Sequence, residues 1–544
     1  MIKGPGVSVM VYGLMVAGLA LPGPARVARA DVPLFENLGV LHHEITTNSG
    51  LAQKYFDQGL RLVYAFNHEE AIAAFTEASR LDPDAPMPYW GVALSLGPNI
   101  NAAMDPKSES RAVEAVQKAT VRLAHVTPRE RAYVEALAAR YSVKKSANRK
   151  AKDEAYAKAM RRLAREYPED ADAMTLFAEA LMVLRPWDYW RADGRPQPGT
   201  EDIVTTLEAA LQHHPDHPGA CHYYIHAVEA SQDPQRGLPC AKRLPSLMPG
   251  AGHLVHMPAH IYMRVGLYRE ASERNANAAT VDHEYLLRHP LEGNYASGYY
   301  AHNLHFLNAS LAMEGRSAEA LQAARDLLSK ISVDEIVKEP SLEWYAPTLL
   351  LTMARFGQWG ELIRQPPPPK ALRYTTGIWH YVRGLAFAAT TRFGSAEGEL
   401  SNLRKSLKVM ARAKTAEAKI NHTLLKIAER VLAGEIAARK GHFEAGIQAL
   451  RDALHLEATV PYSEPPFWFQ PVRHNLGAVL LLAGRASEAE SVYREDLRLN
   501  PENGWALHGL VHSLEAQQKN WAQEAARLHT AWAQADVALT GSRF

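Results

Sequence analysis

The chain has 544 residues, of which 47% are hydrophobic and 22% are charged, a balance typical of a folded globular protein. This length is enough for a large core or several domains. The formal net charge of +1 favours neither nucleic acid nor an anionic membrane surface, so we expect no nucleic-acid partner.

The N-terminus has the features of a secretory signal peptide. Lys3 precedes an apolar stretch from about Val7 to Leu21, and Ala28-Arg29-Ala30 forms a small-x-small cleavage signature. The apolar stretch is short and is followed by prolines and a glycine, which argues against a stable membrane anchor. We predict a signal peptide at residues 1–30, with the mature chain beginning near Asp31 in a bacterial periplasm or outside the cell.

Small residues, an aromatic residue and a proline recur along the mature chain with the spacing of a helix–turn–helix repeat of 34 residues. The small residues allow two antiparallel helices to pack closely, and each helix pair then buries its apolar face against the next. Strand-like alternation is essentially absent from the sequence. The clearest matches are Gly59, Ala71, Phe75, Ala78 and Pro83 near the start, and Gly477, Ala489, Tyr493 and Pro501 near the end.

On these residues the chain resembles tetratricopeptide-repeat (TPR) proteins over nearly its whole mature length. The resemblance implies an all-α fold, a TPR-like α-solenoid with a concave groove that binds partners. More narrowly, the chain resembles an exported bacterial TPR group with a histidine-rich groove. The segments that carry this narrower resemblance include residues 221–226 (CHYYIH) and 252–262 (GHLVHMPAHIY).

Segments rich in proline, glycine or aromatic residues interrupt the repeat pattern. The run of four prolines at 366–369 is typical of a stiff connection, so we predict an N-terminal array at residues 31–365 and a C-terminal array at 366–544. An aromatic insertion beside a groove would fold over it as a lid. The other interruptions are residues 97–101, 185–200, 282–300 and 461–466.

Two histidine pairs predict the functional site. His222 and His226 are spaced i, i+4, as are His256 and His260, and the second pair follows the first by 34 residues. An i, i+4 spacing puts both rings on one helix face, and an offset of one repeat puts the second pair on the same face of the next unit. A solenoid needs no such histidines to fold, so we interpret the four rings as the core of a metal site.

The TPR frame adds further candidates, because positions 2, 5, 9 and 12 of the first helix line the groove in TPR proteins. By this resemblance, His253, His302 and His305 are additional metal ligands. Glu229 and Glu179 are candidate catalytic residues, acting either as a general base or as groups that orient the ligands. His508 and His512 form another i, i+4 pair, which lacks histidine-bearing neighbours other than His474.

A site rich in imidazole and poor in carboxylate favours copper, with zinc or iron as alternatives, over calcium or magnesium. Six or seven histidines would suffice for a dinuclear copper site, whereas three with an open position would suit a single catalytic ion. The sequence contains no P-loop, G-x-S-x-G, G-x-G-x-x-G or H-E-x-x-H motif that would indicate another chemistry.

The chain has two cysteines, Cys221 and Cys240. In the repeat frame they lie at positions 4 and 23 of one unit, on its first and second helices, so they would face each other within one hairpin. In an oxidising compartment we expect a disulfide between them. The alternatives are two buried thiols, or Cys221 as a soft metal ligand beside His222.

The leading functional hypothesis is an exported solenoid that binds a transition metal through its groove histidines. If it is an enzyme, we expect a metal-dependent oxidoreductase that acts on a small molecule. One alternative is a periplasmic scaffold that binds a protein or peptide segment without metal. Another is metal storage or delivery, which exposed Met257 or Met263 would support because thioethers favour Cu(I).

Overall fold

Antiparallel helix pairs follow one another along the chain, and each packs against its neighbours in sequence. The computed structural model describes residues 32–141, 148–191, 194–288, 295–412 and 415–544. The predicted signal peptide therefore lies outside the described residues. Within them the extended pairing is confined to one isolated antiparallel bridge, between Trp190 and Pro196. The predicted all-α class is confirmed.

The described α-helices have the following bounds. The first thirteen are α1 Gly50–Tyr64, α2 His68–Leu81, α3 Pro86–Ser95, α4 Glu109–Thr120, α5 Pro128–Ala138, α6 Arg149–Glu166, α7 Ala171–Val183, α8 Thr200–His213, α9 Pro218–Val228, α10 Leu238–Leu247, α11 Gly252–His256, α12 Pro258–Arg264 and α13 Tyr268–Arg288. The others are α14 Ala301–Glu314, α15 Ser317–Leu328, α16 Val333–Lys338, α17 Thr348–Arg355, α18 Trp359–Arg364, α19 Arg373–Ala389, α20 Phe393–Met410, α21 Ala416–Arg439, α22 Phe443–Glu457, α23 Val472–Leu482, α24 Ala486–Leu499, α25 Gly504–Ala516 and α26 Ala522–Ala531. In the described part of the chain, no helix combines the length and apolarity needed to cross a membrane.

The predicted repeat packing is present at both ends of the chain. The ring of Phe75 on α2 is fully buried against Gly59 on α1 and Gly91 on α3, where an added Cβ would lie 2.6 and 2.5 Å from ring atoms. At the other end Tyr493 on α24 is held in the same way by the glycines at 477 and 509. In the sequence, each aromatic residue is 16 residues from both of the glycines that its ring contacts. The same packing of an aromatic ring between two glycines therefore recurs in two distant repeats.

The predicted interruptions also separate helices in the structure. Residues 185–200 connect α7 to α8, the first proline run separates α18 from α19, and the second separates α22 from α23. A π-helix, Ala296–Tyr300, precedes α14 at the end of the insertion at 282–300. These segments fall where proline or a change of backbone direction prevents the helix from continuing.

Residues Leu34–Phe544 form one unit with two main hydrophobic cores. The first core extends from Leu38 to Phe306 and the second from Leu321 to Leu514. The boundary between the two cores therefore lies between residues 306 and 321, before the polyproline run. The C-terminal helices also return to the middle of the chain, where Trp505 Nε1 donates a hydrogen bond of 3.0 Å to the carbonyl of residue 312. A boundary between two arrays at 365/366 stays a prediction.

The substitution Phe75→Ala tests the repeat packing. Removing this buried ring leaves a cavity between the two glycines, and we expect a loss of about 3–5 kcal/mol of stability in the N-terminal helices. The measurement is the thermal midpoint together with amide exchange protection in α1–α3. Val121→Ala is the control, since this side chain is 76% exposed and its loss should cost less than about 0.5 kcal/mol. Equal midpoints for the two variants would contradict the assigned packing.

Candidate metal centre

Helix α9 presents the first histidine pair. Pro218 opens the helix at a position where its missing N–H has no intrahelical acceptor, and the ring of His217 caps it by accepting a 3.0 Å hydrogen bond from the amide of Ala220. All residues of α9 are buried, so this helix has no solvent face and both rings lie inside the protein. His222 and His226 lie one turn apart, with ring centroids separated by 4.9 Å.

The first triad consists of His222, His226 and His253. One ring nitrogen of each lies within 4.8 Å of the others, and all three side chains are at least 98% buried. His253 comes from the start of α11, the first helix of the next repeat unit. The predicted offset of one repeat therefore brings neighbouring histidine-bearing helices into contact.

The second triad consists of His256, His260 and His302, whose ring nitrogens also lie within 4.8 Å of one another. Pro258 lacks an N–H and divides the predicted single helix into α11 and α12. The residue between them, Met257, keeps helical angles of φ −50° and ψ −34°, so the i, i+4 relation of His256 and His260 survives the break. The centroid of the His302 ring lies 4.9 Å from that of His256.

The two triads are built by the same rule. Each combines an i, i+4 pair on one unit with a histidine near the start of the first helix in the following unit, His253 for the first triad and His302 for the second. The insertion at 282–300 lengthens the chain before α14 without removing His302 from this position. The site is thus a repeat-related pair of three-histidine groups.

The Nδ1 atoms of four histidines are held by hydrogen-bond acceptors. His222 Nδ1 lies 2.7 Å from the carbonyl of Tyr64, and His256 Nδ1 lies 2.6 Å from Asn275 Oδ1. The amide group of Asn275 donates to the carbonyl of residue 271, which fixes its oxygen toward His256. His226 and His260 make the corresponding contacts with a carboxylate. An acceptor requires a proton on Nδ1, so each of these rings, when neutral, carries its lone pair on Nε2.

These lone pairs converge inside the protein. His256 Nε2 and His260 Nε2 lie 2.9 Å apart, although both are lone-pair atoms when the rings are neutral. His222 Nε2 lies 3.1 Å from His253 Nε2, and His226 Nε2 is buried with no hydrogen-bond partner among the described residues. His256 and His260 repel each other when both rings are neutral, unless a metal ion or a proton lies between the two nitrogens. In the first triad His253 Nδ1 has no partner among the described residues, so His253 Nε2 can donate to His222. Two ligands each about 2.0–2.1 Å from one metal ion are separated by about 3 Å, so the geometry fits metal coordination.

Glu229 links the triads. Its Oε1 accepts from His226 Nδ1 at 2.8 Å, and its Oε2 accepts from His260 Nδ1 at 2.6 Å. Burial would raise the pKa of this carboxyl, but the electrostatic interaction with His260 and the hydrogen bonds from both histidines hold the pKa well below its usual range. Oε2 also accepts a 3.1 Å hydrogen bond from the hydroxyl of Tyr462. A single buried carboxylate therefore orients one ligand in each triad, which is the role predicted for an orienting group.

Aromatic rings enclose both triads. Phe66 lies 4.5 Å from the ring centroid of His222 and stacks on His253 at 5.4 Å. Phe306 occupies the equivalent place in the second triad, 4.5 Å from the His260 centroid. The TPR resemblance predicted that the histidines line an open concave groove. In the structure they are instead buried beneath these rings. Water is excluded from most of the site, and His302 alone of the six keeps partial exposure.

The two aromatic insertions contribute to this enclosure. Trp187 from the first insertion makes an edge contact with His226 at 5.0 Å, and Tyr299 from the second lies 4.9 Å from His253. The expectation that insertions fold over the histidines is therefore confirmed for these two side chains. Trp187 and Phe66 both have left-handed backbone angles, with φ of 65° and 58°, which is uncommon for large side chains.

Burial and neighbouring imidazoles hold the pKa of four ligand histidines well below 6.5, so these rings are neutral at physiological pH. Neutral imidazole is the form that binds metal ions. The ligand set contains no thiolate: Cys221 lies outside both triads, in contact with Cys240. The four histidines with this shift are His222, His253, His256 and His302.

Two predicted site residues lie elsewhere. His305 is on α14 but outside both triads, and its ring makes an edge contact with Tyr345 at 5.3 Å. Glu179 lies beside Arg140, and burial, opposed by that guanidinium, raises the pKa of Glu179 to about 7. The structure therefore joins Glu229 to the histidines and leaves Glu179 with a different group of charges. Catalytic roles for both carboxylates stay predictions.

The C-terminal pair is also formed but is isolated. His508 Nε2 and His512 Nε2 lie 3.2 Å apart on α25, and the Nδ1 of His512 lies 3.2 Å from Glu515 on the exposed helix surface. No third metal-binding side chain completes this pair within the described residues. It provides a matched exposed pair against which the buried triads can be tested.

The predicted cysteine pair consists of two buried thiols in contact, on α9 and α10. The predicted facing arrangement is therefore present, while the disulfide itself stays a prediction. We expect iodoacetamide to alkylate neither cysteine in denatured, unreduced protein from an oxidising compartment. Mass spectrometry of its digest should show a linked peptide pair that joins Cys221 to Cys240. Full alkylation of both thiols in denatured, unreduced protein would contradict the disulfide.

Sequence reasoning missed the groups that surround the ligands. Tyr64 and Asn275 accept hydrogen bonds from triad histidines, and Tyr462 donates to Glu229. None of the three belongs to a spacing pattern that would have indicated these contacts. Phe306 had a usable signal, since it follows His302 at i, i+4 and so continues the pair pattern with phenylalanine in place of the second histidine.

The consecutive helix pairs and their repeated packing make this protein a TPR-like α-solenoid that carries a buried histidine centre. No protein-family model matches the chain, and no curated protein matches its sequence. Among solved structures, the human IFIT1 dimer with m7Gppp-AAAA is 12% identical, covers 91% of this chain and 92% of its own, and gives a TM-score of 0.33. Yeast Tom70 is 14% identical, with 90% and 92% coverage and a TM-score of 0.29.

Proposed function

We propose that this protein binds two transition-metal ions, one in each histidine triad, and that copper is the preferred metal. The observation that carries the proposal is the convergence of buried Nε2 lone pairs, with His256 and His260 facing each other at 2.9 Å. Their Nδ1 atoms are already committed to Asn275 and Glu229, so neither ring, when neutral, has a proton on Nε2 to donate to the other. A metal ion in each triad removes this repulsion and neutralises the carboxylate of Glu229.

The choice of copper rests on the ligand set. Each triad consists of imidazoles, and the nearest carboxylate accepts hydrogen bonds from two ligands. Imidazole suits copper, zinc and iron, and the general affinity order for such sites places copper first. Zinc and iron are the alternatives that metal analysis would distinguish.

A redox role is the further part of this proposal. His226 of one triad and His260 of the other lie 5.2 Å apart between ring centroids, and Glu229 holds both. Adjacent copper ions would supply electron transfer between a small molecule and O₂. The protein itself would position the ligands through Glu229 and exclude water through Phe66 and Phe306. We therefore propose a metal-dependent oxidoreductase, located in the periplasm or outside the cell by its predicted signal peptide.

The alternative functions receive less support. Metal delivery was expected to use exposed thioethers, but Met257 is fully buried and Met263 is only partly exposed. Five of the six triad histidines are also buried, which favours retained ions over rapidly exchanged ones. A metal-free scaffold would need a proton between His256 Nε2 and His260 Nε2 to relieve the repulsion between their lone pairs.

Elemental analysis of tag-free protein, exported to a periplasm and purified without chelator, tests the metal proposal. We expect about two equivalents of one transition metal per chain. The intact mass should correspond to a processed chain whose first residue is near Asp31. The double substitution His222→Ala/His256→Ala removes one ligand from each triad and should remove most of this metal. The control His508→Ala/His512→Ala deletes an exposed pair with a similar Nε2 separation and should leave the metal content unchanged.

Wild-type protein that remains metal-free after reconstitution with Cu²⁺, Zn²⁺ and Fe²⁺ would overturn the proposal. Metal content that falls equally in both double variants would show nonspecific binding by paired surface imidazoles. For the redox part, O₂ consumption with a panel of small reductants should occur with the loaded wild type and be absent from the His222→Ala/His256→Ala variant.

A further inference from the structure

A cavity of about 1490 Å³ adjoins the histidine centre. It lies between the first aromatic insertion and α12 on one side and the segment from α22 to α23 on the other. We infer that this cavity binds a small aromatic carboxylate. Its role as the substrate rests on the proposed metal centre, whereas its binding does not.

Aromatic rings from three separate segments form the apolar walls. They come from the first insertion, the start of α13 and the second proline-rich segment with the residues that follow it, and prolines and two methionines complete the apolar lining. Flat rings of this kind favour an aromatic ligand, because offset or edge contacts between rings contribute beyond the area they bury. The rings are those of Trp187, Trp190, Tyr268, Tyr462, Phe467, Trp468 and Phe469.

The polar part of the lining includes three arginines that form no close ion pair with a carboxylate among the described residues. Arg264, Arg355 and Arg473 line the cavity, and none forms an ion pair with a carboxylate in the described part of the chain. Arg264 donates to the carbonyls of Glu229 and Ser231 instead. These guanidiniums leave an excess of positive charge in a site with restricted water, where a ligand carboxylate would be stabilised by charge-assisted hydrogen bonds.

Arg355 is the most deeply placed of the three. Its side chain is 98% buried, its plane lies 3.8 Å over the ring of Trp505, and its Nη1 contacts His474 Nδ1 at 3.1 Å. Its Nη2 has no hydrogen-bond partner among the described residues. Burial lowers the pKa of Arg355 to about 9, and the charge of Asp496, which Arg355 reaches only through the ring of His474, opposes this shift, so the group stays charged at neutral pH.

The carboxylates in the lining do not cancel this charge. Asp188 pairs with Arg185 at 3.0 Å, and Glu495 pairs with Arg498 at 2.8 Å, so both are already neutralised. Glu457 and Glu464 are half-buried, and burial, opposed by the charges of Arg473 and Arg264 respectively, raises the pKa of each to about 7. The cavity therefore presents unpaired guanidinium charge against aromatic walls, which matches a ligand that combines a ring with an acid group.

The cavity and the triads share a wall of single side chains. Trp187 lines the cavity and contacts the ring of His226, while Tyr462 lines the cavity and donates to Glu229. A ligand held against these two residues would lie one side chain away from the first triad. A small acid fits better than a peptide, because a peptide backbone needs a row of amide partners and the unpaired groups here are guanidiniums.

Isothermal titration calorimetry with three matched probes tests the inference. The probes are phenylacetate, its neutral isostere phenylacetamide, and cyclohexylacetate, which keeps the acid but lacks the aromatic ring. We expect one phenylacetate per chain and about tenfold weaker binding of each of the other two, since phenylacetamide loses a charge-assisted hydrogen bond and cyclohexylacetate loses the contacts between aromatic rings. Arg473→Gln should abolish the preference for the acid over the amide.

Arg498→Gln is the matched control, because that guanidinium at the cavity rim already pairs with Glu495. It should leave the preference unchanged. The titrations are run on metal-loaded wild type and on the His222→Ala/His256→Ala variant. Acid binding that persists in the variant while no metal binds to wild type would refute the metal proposal and support this one.

Three results would overturn the inference. The first is a dissociation constant for phenylacetate above about 10 mM in both proteins. The second is equal affinity for the acid and its amide. The third is tighter binding of the uncharged peptide acetyl-Ala-Phe-Ala-amide than of phenylacetate, which would assign the cavity to peptide segments.

Discussion

Glu229→Gln is expected to remove one of two bound metal ions and to weaken the other by about tenfold to a hundredfold. This carboxylate accepts hydrogen bonds from His226 Nδ1 of the first triad and from His260 Nδ1 of the second. Tyr462 donates to the same oxygen as His260. The amide oxygen of glutamine would therefore stay toward His260 and Tyr462, and its NH₂ group would face His226. Because that ring can no longer donate from Nδ1, its proton moves to Nε2 and blocks the lone pair in the first triad.

The measurement is metal content after dialysis, followed by competition against a chelator. Glu464→Gln is the matched control, since this carboxyl reaches Glu229 only through the hydroxyl of Tyr462. It should retain both ions. The melting temperature of metal-free Glu229→Gln should remain within a few degrees of metal-free wild type, because the substitution also relieves a buried charge. Two ions held by Glu229→Gln with unchanged affinity would refute an orienting role for Glu229.

The repeat frame made the centre of this site predictable from sequence. A helix period places His222 beside His226, and an offset of one repeat places the second pair on the adjoining helix. Both relations depend only on local periodicity and on the stacking of neighbouring units. His253 and His302 were predicted from the TPR resemblance, which places position 2 of the first helix in the groove. In the structure, position 2 of a unit lies next to position 5 of the preceding unit, as the contacts of His253 with His222 and of His302 with His256 show.

Tyr462 could not be predicted in this way. It lies 233 residues after Glu229, in a proline-rich segment without helical periodicity. Which distant segment reaches the site depends on how many units intervene and how each insertion bends the chain, and no local pattern specifies this. The burial of the triads was missed for a related reason, since Phe66 covers them from a left-handed backbone position that a sequence does not reveal.

His305 shows the limit of the frame within one helix. It follows His302 by three residues, which corresponds to a turn of about 300°, whereas Phe306 follows by four and returns to nearly the same face. Phe306 accordingly packs against His256 and His260, and His305 turns toward Tyr345. Assigning groove positions by repeat number alone does not resolve this difference of one residue.

The triads should behave as separate modules, so His222→Ala and His302→Ala are each expected to lose one metal ion and keep the other. Each substitution leaves the opposite triad with three imidazoles and with its Nδ1 acceptors, Tyr64 and Glu229 or Asn275 and Glu229. Neither substitution removes a core aromatic ring, so the helices that carry the opposite triad should keep their packing. Metal content should fall from about two equivalents to about one in both variants.

The two variants are controls for each other, because each removes one imidazole from a different triad. A second readout is thermal stability: an ion held at a thousandfold excess over its dissociation constant stabilises the folded state by about 4 kcal/mol, so each variant should lose about half of the stabilisation that loading gives the wild type. Loss of both ions on substituting either histidine would show one cooperative centre in place of two modules. Retention of both ions in either variant would show that the substituted ring is not a ligand, and its role would then be hydrogen bonding within the buried cluster.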